Sequence, residues 1–173
     1  MLGSPDRRFT FVPMDAERAD EIAGWSYPPP YDIYDGEPSD AATIMRAGAR
    51  YSAVLEDERL VGFCCLGSEA RVPGLRQRDG VLDVGAGLRP DLVGRGLGAR
   101  FLTAVMDYAW TEDPTAALRV CIAEFNLRAQ RTVLFIGFAP AGEQPTSRRT
   151  FRLFELRRSD ARWSSESASF STP

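Results

Sequence analysis

The chain has 173 residues, 44% of them hydrophobic and 26% charged, which is length and apolar content enough for one domain with a real core. A net charge of −3 and a pI of about 5.1 argue against a nucleic-acid-binding surface. No His is present, so His-based acid–base chemistry, Ser-His-Asp triads and His metal ligands are excluded, and no metal is expected.

All 21 basic residues are Arg, a compositional bias with no mechanism attached. Cys64, Cys65 and Cys121 lie in apolar runs and read as buried, reduced thiols, as in a cytoplasmic protein. Residues before Phe9 carry no apolar secretion-signal core. No apolar run approaches the roughly 18 residues of a membrane span.

In chain order, Phe9 to Val12 predicts a first strand. Asp15 is placed to cap a helix carrying Ala16, Ala19, Ile22 and Ala23, which ends near Gly24. The stretch Trp25 to Asp35 follows, with Pro28, Pro29 and Pro30 predicting an extended, polyproline-like course. It reads either as a stiff surface connector or as a substrate wall. In the second reading Trp25, Tyr27, Tyr31 and Tyr34, with neighbouring carboxylates, suit a cationic amine.

Asp40 is expected to cap a second helix that ends before Gly48. Tyr51 to Leu55 and Leu60 to Leu66 predict a hairpin joined through Glu56-Asp57-Glu58-Arg59. Ser68 to Gly80 is polar, contains Pro73 and Gly74, and predicts a loop.

Val81 to Leu88 is the strand around which the rest is arranged. Alternation puts Leu82, Val84, Ala86 and Leu88 on an apolar face, and Val81, Asp83, Gly85 and Gly87 on the other. Two glycines on one strand face suggest close approach of a ligand or of another backbone. The loop Gly94-Arg95-Gly96-Leu97-Gly98 then enters a helix carrying Leu97, Phe101, Ala104, Val105 and Tyr108. Free N–H groups at such a helix start form an anion site, to which Arg95 and Arg100 add charge.

Asp113-Pro114 ends that helix. Leu118 to Ala123 predicts a strand, and Asn126 an N-cap for a helix with Ala129, Thr132, Val133 and Ile136 on one side and Gly137 just past its end. Phe138 and Thr150 to Leu156 are the expected last strands, before a serine-rich tail over residues 159–173.

The glycine spacing alone does not identify a ligand. A P-loop requires Lys followed by Ser or Thr after its last glycine, where this chain has Ala99-Arg100. A dinucleotide fingerprint belongs in an early strand–helix–strand unit, whereas several strands precede this one.

The run Leu88-Arg89-Pro90-Asp91-Leu92-Val93-Gly94-Arg95-Gly96-Leu97-Gly98 resembles the acetyl-CoA signature of the GNAT superfamily of N-acetyltransferases, whose core is Gln/Arg-x-x-Gly-x-Gly/Ala. Asn126-Leu127-Arg128-Ala129, followed by Gly137-Phe138, resembles that family's Asn-x-x-Ala and Gly-Phe segment. The resemblance covers residues 1–158. It implies a single α/β (α+β) domain with a mixed, splayed central sheet.

The resemblance further implies an acetyl-CoA-dependent enzyme that acetylates a primary amine of a small molecule or peptide, with a homodimer as a possible assembly. Gly87, Leu88, Val93, Gly94, Arg95, Gly96, Leu97, Gly98, Ala99 and Asn126 are then the cofactor-binding residues. Trp25, Tyr27, Tyr31 and Tyr34 become the acceptor-binding residues.

Two departures from the family stand out. Its signature Gln/Arg falls on Val93, which removes a side chain but no backbone N–H. Its frequent general acid, a Tyr after the Asn, falls on Val133, which cannot donate a proton. An alkyl ammonium must lose a proton before attack, and Asp83 is the first candidate for that task, with Glu124 and Glu69 behind it. The alternative function is a CoA-binding regulator or a degenerate acetyltransferase.

Overall fold

The computed structural model describes residues 8–161. The elements are β1 (Thr10–Pro13), α1 (Ala16–Ala23), α2 (Pro38–Ile44), β2 (Tyr51–Glu56), β3 (Arg59–Leu66), β4 (Val81–Leu88), α3 (Gly98–Glu112), β5 (Ala117–Ala123), α4 (Leu127–Phe135), β6 (Ala139–Pro145) and β7 (Thr150–Arg157). The strands form one sheet in the order β1-β2-β3-β4-β5-β7-β6. Every pairing is antiparallel except β4 with β5, which is parallel. This is the mixed α/β domain that the resemblance implies.

Each face of the sheet is covered by a helix pair, because each pair presents one apolar stripe. On one side α3 and α4 bury Phe101, Val105, Met106, Val133 and Ile136 against Val84, Leu118 and Val120. On the other, α1 and α2 bury Ala19, Ile22 and Ile44 against Ala53, Leu55 and Leu60. Asp15 caps α1 by accepting from the Arg18 N–H at 2.9 Å, and Asn126 caps α4 through the Ala129 N–H at 3.1 Å. The β2–β3 turn holds Asp57 and Glu58 at φ 49° and 64°, the left-handed conformation of a two-residue hairpin turn. No helix among the described residues is long and apolar enough to cross a membrane.

Three expectations change. Asp40 does not cap α2; it sits at the third helical position, and its carboxylate accepts from the N–H of Glu37, the actual cap residue, at 2.8 Å. The three prolines do not run extended. The chain turns through them, with the Tyr31 N–H reaching the Pro28 carbonyl at 2.9 Å, into a 3₁₀ turn over Tyr31–Tyr34. Finally, β6 is a full strand where only Phe138 signalled one. It lies at the sheet edge, where Pro140 and Pro145 cost no interior ladder bond, and its exposed residues carry no apolar alternation. The tail expected over 159–173 falls outside the described residues beyond Ala161, which is itself buried in the core.

Candidate active site

The site begins where two neighbouring strands part. β4 pairs with β5 only over Val81–Asp83, and with β3 over Val84–Leu88. The Arg89 N–H bonds the Val61 carbonyl at 2.8 Å, which makes Val61–Arg89 a hydrogen-bonded pair of the antiparallel ladder. Alternation then leaves Gly62–Leu88, Cys64–Ala86 and Leu66–Val84 as non-bonded pairs. The main-chain groups of Val84, Ala86 and Leu88 therefore point away from β3, toward β5. On β5, bonds from Arg158 N–H to Ala116 O (3.0 Å) and from Glu124 N–H to Thr150 O (3.1 Å) fix the opposite parity. Cys121 and Ala123 turn their main chain toward β4. Past Asp83 the strands diverge, and backbone without a cross-strand partner lines both sides of the fork.

At the open end of β4 the chain enters a 3₁₀ turn over Pro90–Leu92 and then the glycine loop. Arg89 secures this exit, gripping both oxygens of Asp91 (2.7 and 3.2 Å) and donating to the Leu60 carbonyl at 2.9 Å. Those bonds to Arg89 hold the Asp91 carboxyl below the usual carboxylate range. Gly94 and Gly96 adopt φ 78° and 77°, which a side chain disfavours, with open space where a Cβ would stand. Leu97 stands at the N-cap position of α3 and makes no side-chain cap bond, unlike Asp15 and Asn126 at α1 and α4. The first bond of the helix is Phe101 N–H to Leu97 O, so the N–H groups of Gly98 and Ala99, which precede it, have no partner within the helix. An open, uncapped helix start beside a glycine turn suits a diphosphate.

Fork and helix start open into one cavity of about 700 Å³. Gly87, Leu88, Val93, Gly94, Gly96, Gly98 and Ala99 line it; of the other expected cofactor residues, Arg95, Leu97 and Asn126 do not. Arg95 is exposed on the same loop. Arg100 is engaged elsewhere, paired with Glu56 and stacked at 4.5 Å on the ring of Phe9, so the expected phosphate contact from its side chain is not available.

All four expected aromatics, Trp25, Tyr27, Tyr31 and Tyr34, line the far half of the cavity with Tyr51, Phe63, Asp35 and Asp40. The loop that carries them is closed at its base by Gly36 N–H to Trp25 O (3.0 Å). There Asp35 also accepts from the Tyr27 N–H (2.6 Å) and the Ser26 hydroxyl (3.0 Å). Its tip reaches the opposite wall: Tyr31 and Tyr34 pack on Phe125 at 6.0 and 6.2 Å, and the Arg128 guanidinium lies 4.2 Å over Tyr31. The Tyr27 hydroxyl donates to the Leu88 carbonyl at 2.9 Å, tying the loop to the end of β4. Burial, aided by the charge of Asp35, pushes that phenol up to about 12.

Asp83 is not in the cavity. It is 2% exposed, and Arg119 grips it at 2.6 and 3.2 Å, with Arg71 at 3.8 Å. The expected face of β4 is right, but Arg71, the Arg76 carbonyl and Ala70 cover that face, leaving the carboxylate no route to a substrate. The glycines beside it answer to protein as well. A Cβ at Gly85 would meet Cys65 Sγ at 2.7 Å, and one at Gly87 the Phe63 ring at 2.4 Å. Glu124 is exposed beyond the end of β5 and does not line the cavity, and Glu69 is paired with Arg46 at 2.7 Å. Val133 is 2% exposed within the core. Of the carboxylates that do line the cavity, Asp35 belongs to the aromatic stretch read in sequence as suited to a cationic amine, whereas Asp40 is legible there only as a helix-start residue.

A family profile described as an acetyltransferase (GNAT) domain matches residues 8–139. No curated protein matches the chain by sequence. Among solved structures, an aminoglycoside acetyltransferase crystallised with coenzyme A superposes with a TM-score of 0.72 at 15% identity, over 88% of this chain and 96% of that one. An uncharacterised protein from Bacillus halodurans superposes with a TM-score of 0.75 at 13% identity, over 90% and 86%. A chimeric spermidine N-acetyltransferase, in part from Vibrio cholerae, gives 0.62 at 15% identity, over 87% and 96%.

Proposed function

The chain belongs to the GNAT acetyltransferases, and from that premise we propose that it transfers an acetyl group directly from acetyl-CoA to a primary amine that is cationic and carries an apolar body. The observation that carries this reading is one cavity joining an uncapped helix start, a fork of unpaired backbone and an acid-bearing aromatic chamber. The family assigns acetyl-CoA as the acetyl donor. Gly94 to Ala99 take its diphosphate through main-chain N–H groups, so Val93 in place of a polar residue costs little. Gly87 and Leu88 meet the pantetheine along the fork, and a free N–H there polarises the thioester carbonyl as an oxyanion hole does. Arg95 adds charge at the loop, and Asn126 acts from behind through Tyr34.

The acceptor class follows from the far chamber. Trp25, Tyr27, Tyr34, Tyr51 and Phe63 supply apolar and π surface and Asp35 and Asp40 supply negative charge, while the cations that line the cavity, Arg128 and Arg131, lie on α4, Arg128 spent on the ring of Tyr31. Such a chamber favours an ammonium on an apolar body. Asp35 and Asp40 take over the role first given to Asp83: they hold the ammonium and pass its proton to water. Residues 1–158 form the catalytic domain in this reading.

A second reading, a CoA-binding regulator, draws on Val133, buried where the family often has its acid. Calorimetry with acetyl-CoA, followed by thiol-release assays over an amine panel, separates the two. Binding with turnover on hydrophobic cationic amines is expected. Binding without turnover supports the regulator, and no binding rejects both.

A further inference from the structure

If acetyl transfer occurs here, the departing sulfur needs a proton, and the residue the family often uses is a buried valine. The cavity wall offers several phenols, and their hydrogen bonds distinguish them. The proton of Tyr27 is already given to the Leu88 carbonyl at 2.9 Å. Tyr31 is held by its ring, between Phe125 and the Arg128 guanidinium. Tyr51 lies on β2, packed on Phe63 at 6.2 Å within the cluster under α1 and α2, where burial pushes its phenol up to about 12.

Tyr34 differs in the direction of its bonds. Asn126 Oδ1 is fixed as an acceptor because it caps α4 through the Ala129 N–H at 3.1 Å. That leaves Nδ2 to face Tyr34 Oη, at 3.2 Å, with the tyrosine oxygen accepting. Burial raises this phenol; the Asn126 bond, the nearby main chain of Ala123 and the charge of Arg149 act in the opposite direction and favour the phenolate. The oxygen is thus occupied as an acceptor, while its proton remains for a partner in the cavity. It stands on the β5 side of the fork, at the β5–α4 connection.

We propose that Tyr34 is the proton donor to the leaving thiolate, with Asn126 as the positioning residue that keeps its oxygen an acceptor and its hydrogen turned into the fork. As the amine nitrogen's lone pair forms the C–N bond, the C–S pair leaves on sulfur. Tyr34 passes its proton there and regains one, through water, from the acylated nitrogen. Amine and thioester become amide and thiol with nothing left over. The proposal rests on the acetyltransferase reading above.

The test is Tyr34→Phe, read two ways. Turnover is expected to fall about 10²–10⁴-fold with KM for acetyl-CoA near wild type. Independently of turnover, the thiol of bound CoA is titrated by its ultraviolet thiolate absorbance. Losing a charge-assisted hydrogen bond is expected to lower the thiolate-to-thiol ratio at fixed pH about tenfold or more. An unchanged ratio overturns the assignment even if turnover falls, because a merely structural role for the ring predicts that pattern. Turnover within roughly threefold of wild type also overturns it.

Should Tyr34→Phe lose CoA binding, a ring-fluorinated tyrosine placed at position 34 keeps ring and hydroxyl while making a stronger acid. The thiolate ratio is then expected to rise, and no change refutes the role. A wild-type protein that fails to bind CoA removes the functional reading itself, a result distinct from each of these.

Discussion

Replacing Asp83 with alanine separates structure from chemistry at the vertex of the fork. Asp83 and Arg119 are directly opposed in the last paired register of β4 and β5, at 2% and 5% exposure. Removing the carboxylate strands a buried guanidinium that keeps its bond to the Arg76 carbonyl, at 2.8 Å. Breaking a buried pair from one side costs about 3–5 kcal/mol. Against a total stability of about 5–15 kcal/mol that is a large fraction. It corresponds to a loss of roughly 6–20 °C in Tm for a chain of this size.

Denaturant unfolding of Asp83→Ala, and of the double variant Asp83→Leu with Arg119→Leu, measures it. Exchanging both partners for apolar residues is often neutral or stabilising, so the double variant is expected to recover most of the loss. If Asp83→Ala unfolds with wild-type stability, binds CoA and yet cannot acetylate, Asp83 belongs to the chemistry and the placement argued here is wrong.

Other consequences are quicker to check. Gly96→Ala forces a side chain into φ 77°, costing about 1–2 kcal/mol of backbone strain; calorimetry is expected to show weaker CoA binding, and wild-type affinity would count against the loop as the diphosphate site. Gly87→Ala drives a methyl to 2.4 Å from the Phe63 ring and is expected to destabilise by about 1–3 kcal/mol in urea melts.

Alkaline pH provides a further check. Burial pushes Cys64 and Cys65 from 9.0 up to about 12, and Cys121 up to about 11. Folded values above unfolded ones mean that the stability these thiols contribute is fully present below about pH 9. It is lost as pH rises from 9 toward 12, because the unfolded chain ionises first. Urea midpoints measured across that window are expected to fall with pH, and a flat profile would contradict the burial of the thiols.

The parts of this protein legible in sequence are those fixed by local chemistry. Asp15 and Asn126 are read as caps because a short polar side chain before a helical stripe has few other uses. The Asp57-Glu58 turn follows from two apolar runs separated by a short charged link. Alternation placed Asp83 and Gly85 on the correct face of β4, and the error lay in what covers that face. Arg119, 36 positions away, and the loop carrying Arg71 and Arg76 are brought there by the parallel β4–β5 pairing, which no local pattern announces. β6 escaped for the opposite reason: an exposed edge strand needs neither an apolar face nor freedom from proline.

The same division separates the two halves of the cavity. In the proposed reading the cofactor side is main chain: N–H groups at the start of α3, glycines at positive φ, and strand backbone without a cross-strand partner where β4 and β5 part. Main chain of that kind needs only a glycine pattern and a strand–loop–helix order, so it tolerates Val93 and can be recognised from spacing. The acceptor side is built from side chains that arrive from far along the chain. Tyr34 meets Asn126 across 92 positions, and Tyr27 meets Leu88 across 61. A loop that in our proposal carries both the acceptor surface and the proton donor can change its acceptor without disturbing the fork beneath. In that reading a valine at position 133 of α4 is compatible with catalysis. The hydroxyl has only to reach the sulfur, and a loop held to β4 by Tyr27 and to the β5–α4 connection by Tyr31 and Tyr34 brings one to the start of α4.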